Sequence, residues 1–352
     1  MKIINEAKIK SKIQELIEIN NININAADML NLAFSYTDII NGDLLNDSTE
    51  EKEAIIDQLY DFYQLDKYNE DNQEIMKEFF LDRLKKLDPN EYLNNPYVKT
   101  IKGIGKYQKY SLRYIEYAPY QLFPYDEITV SKDYKEYSAI GYFDKPFSYL
   151  ALTNGNNIWM SLNPNEIETM KPFINKAKGN VLVLGLGLGY VPFMMALKDE
   201  VKHITIIEKD VDIINLFNQM IYPSFKNKNK ITIIKDDAIS YTKHNHRYDY
   251  IFADLWHSSE DGLPLFIKLK KIDQNIDCWL ETSHIALLRR CMLTLLEEFL
   301  QGFNDNDYKH YRSTTDKVIN DYYFKTKNIQ VNNLDDLNKL LSEKNLLKLI
   351  LE

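Results

Sequence analysis

Val181–Tyr190 reads VLVLGLGLGY: four apolar residues run into three glycines spaced two apart, Gly185, Gly187 and Gly189. An apolar run rich in Val and Leu that ends in such glycines predicts a buried parallel strand turning sharply into a helix. Glycine permits positive φ and lets a ligand approach the backbone closely, and the amides of the following helix start face the turn. The chain holds 11 glycines, and three of them fall between 185 and 189. Packing alone does not explain that concentration.

Outward from this turn, strands and helices alternate. Strands are expected at 181–184, 203–207, 231–235, 248–253 and 276–281, with helices at about 190–198, 211–220, 238–243 and 262–270 and a long one at 285–301. That alternation predicts a parallel sheet with helices on both faces. The runs 308–312 and 317–326 are expected as a closing hairpin, and Leu334, Leu337, Leu340, Leu341 and Leu346 as terminal helices.

Upstream the texture differs. Residues 1 to about 90 carry helical periodicity: Ile9, Ile13, Leu16 and Ile17 form one stripe, and Met29, Leu30, Leu32 and Ala33 belong to a second helix. Ser48 with Glu51 reads as a capping box ahead of Ile55 and Leu59. A fourth stripe, Ile75, Phe79, Phe80 and Leu84, stops before Pro89. From Ser111 to Ser161 the chain is tyrosine-rich with short apolar runs, and Asn154-Gly155 signals a hairpin. Asn163 is expected to cap a helix with Pro164 in its first turn. The expected parts are therefore a helical domain at 1–95, a small β-rich module at 96–165, a nucleotide-binding domain at 166–330 and a helical tail at 331–352.

At 352 residues, 45% of them hydrophobic and 12% aromatic, the chain can build a full core. A net charge of −9 argues against general binding to nucleic acid or anionic membrane. The two cysteines, Cys278 and Cys291, make neither a disulfide framework nor a metal spacing. The first residues, MKIINEAKIK, lack the apolar stretch of a secretion signal, and no run reaches the roughly 18 apolar residues of a membrane span. A cytoplasmic protein is expected.

Ligands of a doubly wound sheet lie across the carboxyl ends of its strands. After the first strand stand Gly185, Leu186, Gly187 and Gly189; after the second Glu208 and Lys209; after the third Asp236, Asp237 and Ala238; after the fourth Asp254. Glu208 falls where a carboxylate accepts hydrogen bonds from both ribose hydroxyls. Asp237 is placed to accept from an adenine amino group, with Ala238 leaving room beside the ring. Asp254 looks toward the reacting carbon. A single such acid reads as a helix cap or a solvated turn; hits at four successive strand ends read as a site.

On these residues, 175–326 resembles the class I S-adenosylmethionine-dependent methyltransferase superfamily: Gly185-x-Gly187-x-Gly189, the acid at Glu208, Asp237-Ala238 and the strand ending in Asp254. Tyr190 stands where a dinucleotide-binding domain would want a glycine. Val183 and the preceding β module are most similar to the spermidine-synthase-like branch. The resemblance implies a Rossmann-like, seven-stranded sheet with S-adenosylmethionine as cofactor. It departs from the aminopropyltransferases at Leu188, where they carry an Asp, and at Asp254-Leu255-Trp256-His257, where they carry an Asp-Ser-Ser-Asp type motif.

Methyl transfer to a small molecule or a protein side chain is the expected activity, with Asp254 as first candidate for the base or substrate-orienting group and His257 as second. Aminopropyl transfer and a non-catalytic cofactor-binding module that docks a partner are the alternatives. An oligomer is compatible with the sequence, which does not specify one. Several other features read as structural: His244-x-His246 as a solvated loop rather than a metal site, Lys226–Lys230 as a charged loop, and Lys102–Lys106 as an ordinary loop rather than a phosphate cradle. Trp159, Met160 and Ser161 read as core or as a contact to the cofactor's methionine end; Trp279 and Glu281 read as a buried aromatic and an acid facing the pocket.

Overall fold

The computed structural model describes residues 1–4, 6–33, 48–244, 247–302 and 313–352. Two sheets position the site. The first is the antiparallel β module: β1 (Gly105–Tyr107), β2 (Tyr110–Tyr117), β3 (Phe147–Asn154) and β4 (Asn157–Ser161), in spatial order β4-β3-β2-β1. Gly155, at φ +61°, takes the left-handed conformation in the tight turn between β3 and β4, as the Asn-Gly pair predicts. The second sheet is parallel: β5 (Gly179–Leu184), β6 (Val201–Glu208), β7 (Ile231–Lys235), β8 (Tyr250–Ala253) and β9 (Asp277–Cys278), in order β7-β6-β5-β8-β9. The order reverses beside β5, so the switch point lies at the glycine turn.

Val181, Leu182, Val183 and Leu184 are all buried, as a strand covered on both faces requires. Helices Pro164–Lys176, Tyr190–Ala196, Val211–Leu216, Ala238–His244, Ser259–Ile272 and Glu281–Leu300 connect or cover the sheet.

The 28-residue helix Glu6–Ala33 packs along Glu281–Leu300, and its Ile9, Ile13 and Leu16 join the same buried cluster as Leu182 and Leu288. A second cluster, with Ile55, Leu59, Phe79, Phe80 and Tyr142, sits under helix Ser48–Tyr63. Strand Lys2–Ile3 pairs in parallel with Gln330–Val331, the segment that precedes the last two helices. Helices Leu334–Leu341 and Glu343–Leu351 close the tail, as the leucine spacing predicts.

Several expectations are corrected. The parallel sheet has five strands among the described residues, not seven. Residues 317–326 are not a strand but lie in helix Thr314–Thr326, nucleated by Ser313 and Asp316 in a reciprocal capping box; 308–312 lie outside the described residues. The stripe around Met29 belongs to the same helix as Ile9, because no Gly or Pro interrupts 6–33. Leu84 leaves the helical stripe and begins strand Leu84–Lys86, which pairs with Ile140–Tyr142.

The fifth strand stops at Cys278 rather than 281, because Leu280 turns left-handed (φ +55°) and Glu281 opens a helix. The Glu51 carboxylate accepts from Lys86 Nζ (2.9 Å) and the Tyr142 hydroxyl (3.1 Å); the Ser48 side chain of the expected capping box lies outside those described.

Candidate active site

Register assembles the site. Leu184 is level with Ile207 on one side and Ala253 on the other, and Glu208 is level with Lys235. The next residues out are therefore Gly185, Glu208 and Asp254, side by side along the carboxyl edge, with Asp236 one residue beyond Lys235 and its N–H bonded to the Glu208 carbonyl (3.2 Å). Gly185 is held there by its N–H to the Ile207 carbonyl (2.9 Å), and Asp254 by its N–H to the Leu184 carbonyl (2.9 Å). At Gly185, φ is +100° and a Cβ would lie 2.0 Å from the Asp254 carbonyl oxygen. Only glycine fits between the two strands.

A cleft of about 530 Å³ opens over this edge, a volume within the usual range of small-molecule sites. Gly185, Leu186, Gly187, Glu208, Lys209, Asp236, Asp237, Ala238, Asp254 and His257 all line it. Gly189 does not. It takes φ +74° at the start of helix Tyr190–Ala196, and a Cβ there would strike the Phe217 ring at 2.3 Å. Its glycine is a packing requirement.

The acids differ in what they hold. Glu208 accepts from the Leu186 amide through Oε2 (3.2 Å) and from the Asp210 amide through Oε1 (2.8 Å), so both oxygens are oriented before any ligand arrives. Asp237 accepts from the Ser240 amide through Oδ1 (2.9 Å), and Asp236 from the Asp237 amide (2.7 Å). Asp237 is thus a helix cap that also faces the cleft. Asp210, which was not singled out from the sequence, caps helix Val211–Leu216 and accepts from the Tyr110 hydroxyl of β2 (3.0 Å).

Asp254 is different. Its carboxylate accepts no hydrogen bond from the described residues, and burial, with the Glu208 charge second, pushes its pKa up to about 7. Glu166 is the residue that sequence reasoning missed. It stands in the first turn of Pro164–Lys176, whose Asn163 cap accepts the Glu166 amide (3.0 Å), and it lines the cleft. Burial raises its pKa well above the usual carboxylate range, and the Asp254 charge adds to that. In sequence Glu166 is an acid three residues after a cap, a pattern that marks a helix start and nothing more.

The β module and the segment before it buttress this edge. Tyr97 donates its hydroxyl to the Leu188 carbonyl, and Asn95 Nδ2 donates to the Tyr190 hydroxyl (3.1 Å), pinning the glycine turn from outside. From β4, Trp159 and Ile158 stand exposed at the rim, where the strand bulges between Ile158 and Met160. Trp159 is therefore not core; its ring meets the exposed His257 edge-on at 4.9 Å. His257 donates its backbone amide to Asp261 (3.2 Å).

Trp279 lines the cleft and donates Nε1 to Thr169 Oγ1 (2.9 Å). Glu281, expected to face the pocket, instead pairs with the buried Lys270, because the helix start turns it away. His244 bonds the Ser240 carbonyl through Nδ1 (2.8 Å), while His246 lies outside the described residues. Lys102–Lys106 forms no phosphate cradle: Ile104 is exposed and Gly105 opens a strand. Lys228 and Lys230 bond the carbonyls of Pro223 and Lys198, and Lys228–Lys230 forms a single 3-10 turn within the expected loop. Among the described residues, no cluster of metal-ligating side chains exists and no helix is long and apolar enough to cross a membrane.

A parallel sheet in this order, with its switch point at a glycine turn and acids along the adjoining edges, is a doubly wound, Rossmann-like α/β fold. No family model matches the chain, and no curated protein does. Among solved structures it is similar to a spermidine synthase from Thermotoga maritima, at 16% identity over 38% of this chain and 47% of that one, with a TM-score of 0.28. It is also similar to a putative O-methyltransferase from Klebsiella pneumoniae, at 15% identity over 31% of this chain and 48% of that one, with a TM-score of 0.24. The chain thus aligns to about half the length of each. Strand order and the Gly185 turn, not these distant likenesses, carry the fold.

Proposed function

We propose that the protein is an S-adenosylmethionine-dependent methyltransferase acting on a small molecule or a protein side chain. The observation that carries this reading is the register that sets Glu208, Gly185 and Asp254 side by side over one cleft that Asp236, one step further out, also lines. The residues fit the cofactor. Gly187 leaves open space in front of the turn, the nearest atom to a Cβ there being Met160 Sδ at 3.7 Å. Glu208 keeps free lone pairs on both oxygens, each of which already accepts one backbone amide.

In this reading Glu208 accepts from the ribose hydroxyls, Asp237 uses its second oxygen for the adenine amino group, and Ala238 keeps the ring's plane clear. Leu186 and Lys209 flank the adenosyl moiety. When bound, S-adenosylmethionine supplies an electrophilic methyl on a sulfonium. The chain's own contribution is positioning, worth several kcal/mol in favourable cases, and a base. Asp254 is the base: a carboxyl poised at about 7 takes a proton from a nucleophile that arrives protonated. His257, exposed against Trp159, orients the incoming group at the rim.

Leu188 sets methyl transfer ahead of aminopropyl transfer, since it is an apolar side chain, 5% exposed, where the aminopropyltransferases place an acid. Competition between S-adenosylmethionine and its decarboxylated form tests this. Tighter binding of the parent compound is expected; tighter binding of the decarboxylated form would overturn methyl transfer in favour of aminopropyl transfer.

A further inference from the structure

Glu166 and Asp254 reach the same cleft from different elements, a helix that follows the β module and the end of β8. Neither carboxylate accepts a hydrogen bond or meets a basic side chain among the described residues. The groups facing them add negative charge: Glu208 and Asp210 from β6, Asp236 and Asp237 from β7, and Asp261 beyond β8. Lys209, itself exposed, is the one lysine lining the cleft among the described residues, and no arginine does so. The other titratable neighbours, His257 and Tyr190, stand at the rim and beside the glycine turn. Two carboxylates that share a site without a counter-charge cannot both ionise cheaply, so one retains a proton. A cation entering the site can take that proton's place.

We propose that Glu166 joins Asp254 in a two-carboxylate subsite for a cationic sulfonium centre, and that seating the cation there expels the proton the two acids hold between them. The proposal rests on the adenosyl-sulfonium reading above and adds to it a reason for turnover. On arrival the sulfonium supplies the single positive charge that the shared proton had supplied; the proton goes to solvent. After transfer the thioether carries no charge, so the pair takes a proton back and ceases to favour the product. Binding and release are thereby biased in opposite directions by the same two side chains.

Calorimetry on the full chain tests this without knowing the acceptor. S-adenosylmethionine and S-adenosylhomocysteine are titrated between pH 5 and 7, each in two buffers of different ionisation enthalpy, so that protons released on binding are counted. The sulfonium is expected to release protons, and its affinity to climb with pH toward about tenfold per unit, the limit for one displaced proton. The thioether is expected to release fewer and to show a flatter profile. Glu166→Gln and Asp254→Asn should each bring the two profiles together while both ligands still bind. The wild-type comparison stands even where a variant fails to fold. Equal proton release and parallel profiles in the wild type would overturn the acid pair alone. Failure of either ligand to bind would overturn the adenosyl-sulfonium reading, and the pair with it.

Discussion

The carboxyl edge of the parallel sheet has two halves that treat their acids in opposite ways. On the β6 and β7 side, Glu208, Asp210, Asp236 and Asp237 all accept backbone amides at 2.7–3.2 Å. On the β8 side, Asp254 and Glu166 accept nothing from the described residues, and burial pushes both toward the protonated form. Hydrogen bonds from backbone amides aim a carboxylate; desolvation without them leaves it poised to gain or lose a proton. In the proposed reading one half recognises neutral hydroxyl and amino groups and the other responds to charge. Gly185, between β6 and β8, is the seam.

Breaking the seam should have the largest effect. Gly185→Ala puts a Cβ 2.0 Å from the Asp254 carbonyl oxygen at a φ of +100°, and the obstacle is backbone, which cannot swing aside. A loss of about 3 kcal/mol or more in thermal or denaturant unfolding is expected, with ligand binding abolished. An unchanged midpoint would mean that β5 and β8 do not converge as described. Glu208→Ala comes next. It removes the proposed ribose acceptor and strands the Leu186 and Asp210 amides, so S-adenosylmethionine affinity is expected to fall about 100-fold or more, at roughly 1.5–3 kcal/mol for each hydrogen bond to a charged group.

The β8 half is probed through pH. A folded carboxyl near 7, against a model-peptide value near 4, means that the folded state binds more protons between those values, so this group's stabilising contribution is full below about 4 and is lost as pH rises through 7. Asp254→Asn should therefore raise the melting temperature at pH 8 by about 2 °C, the worth of roughly 1 kcal/mol in a protein of this size, and by less at pH 5. The reverse order would show that Asp254 is held in its charged form in the folded state. The smallest effect is expected for His257→Ala. The ring is exposed and the backbone amide makes the bond to Asp261, so stability should stay within about 0.5 kcal/mol and cofactor affinity should hold while methyl transfer falls.

Local chemistry made the first half of this comparison legible in the sequence and hid the second. β5 to β8 are apolar runs that end in glycine or an acid, so both the strands and the residues at their tips could be read directly. The cap role of Asp237 and the packing role of Gly189 were less visible, because they depend on Ser240 and Phe217, which the fold brings alongside. Glu166 carried no mark of function: in sequence it is an ordinary acid in a helix's first turn, and its meaning arises only when that turn is laid beside Asp254. Residues 317–326 show the same limit from another side. Val318, Tyr322 and Tyr323 favour strands, but the Ser313–Asp316 capping box and burial of those side chains settle on a helix.

Calorimetric titration of the wild-type chain and Glu208→Ala with S-adenosylmethionine tests the central claim most directly. A single saturable site in the wild type that weakens about 100-fold or more in the variant is the predicted result. No heat of binding to the wild type under any buffer, or equal affinity in both proteins, would contradict it.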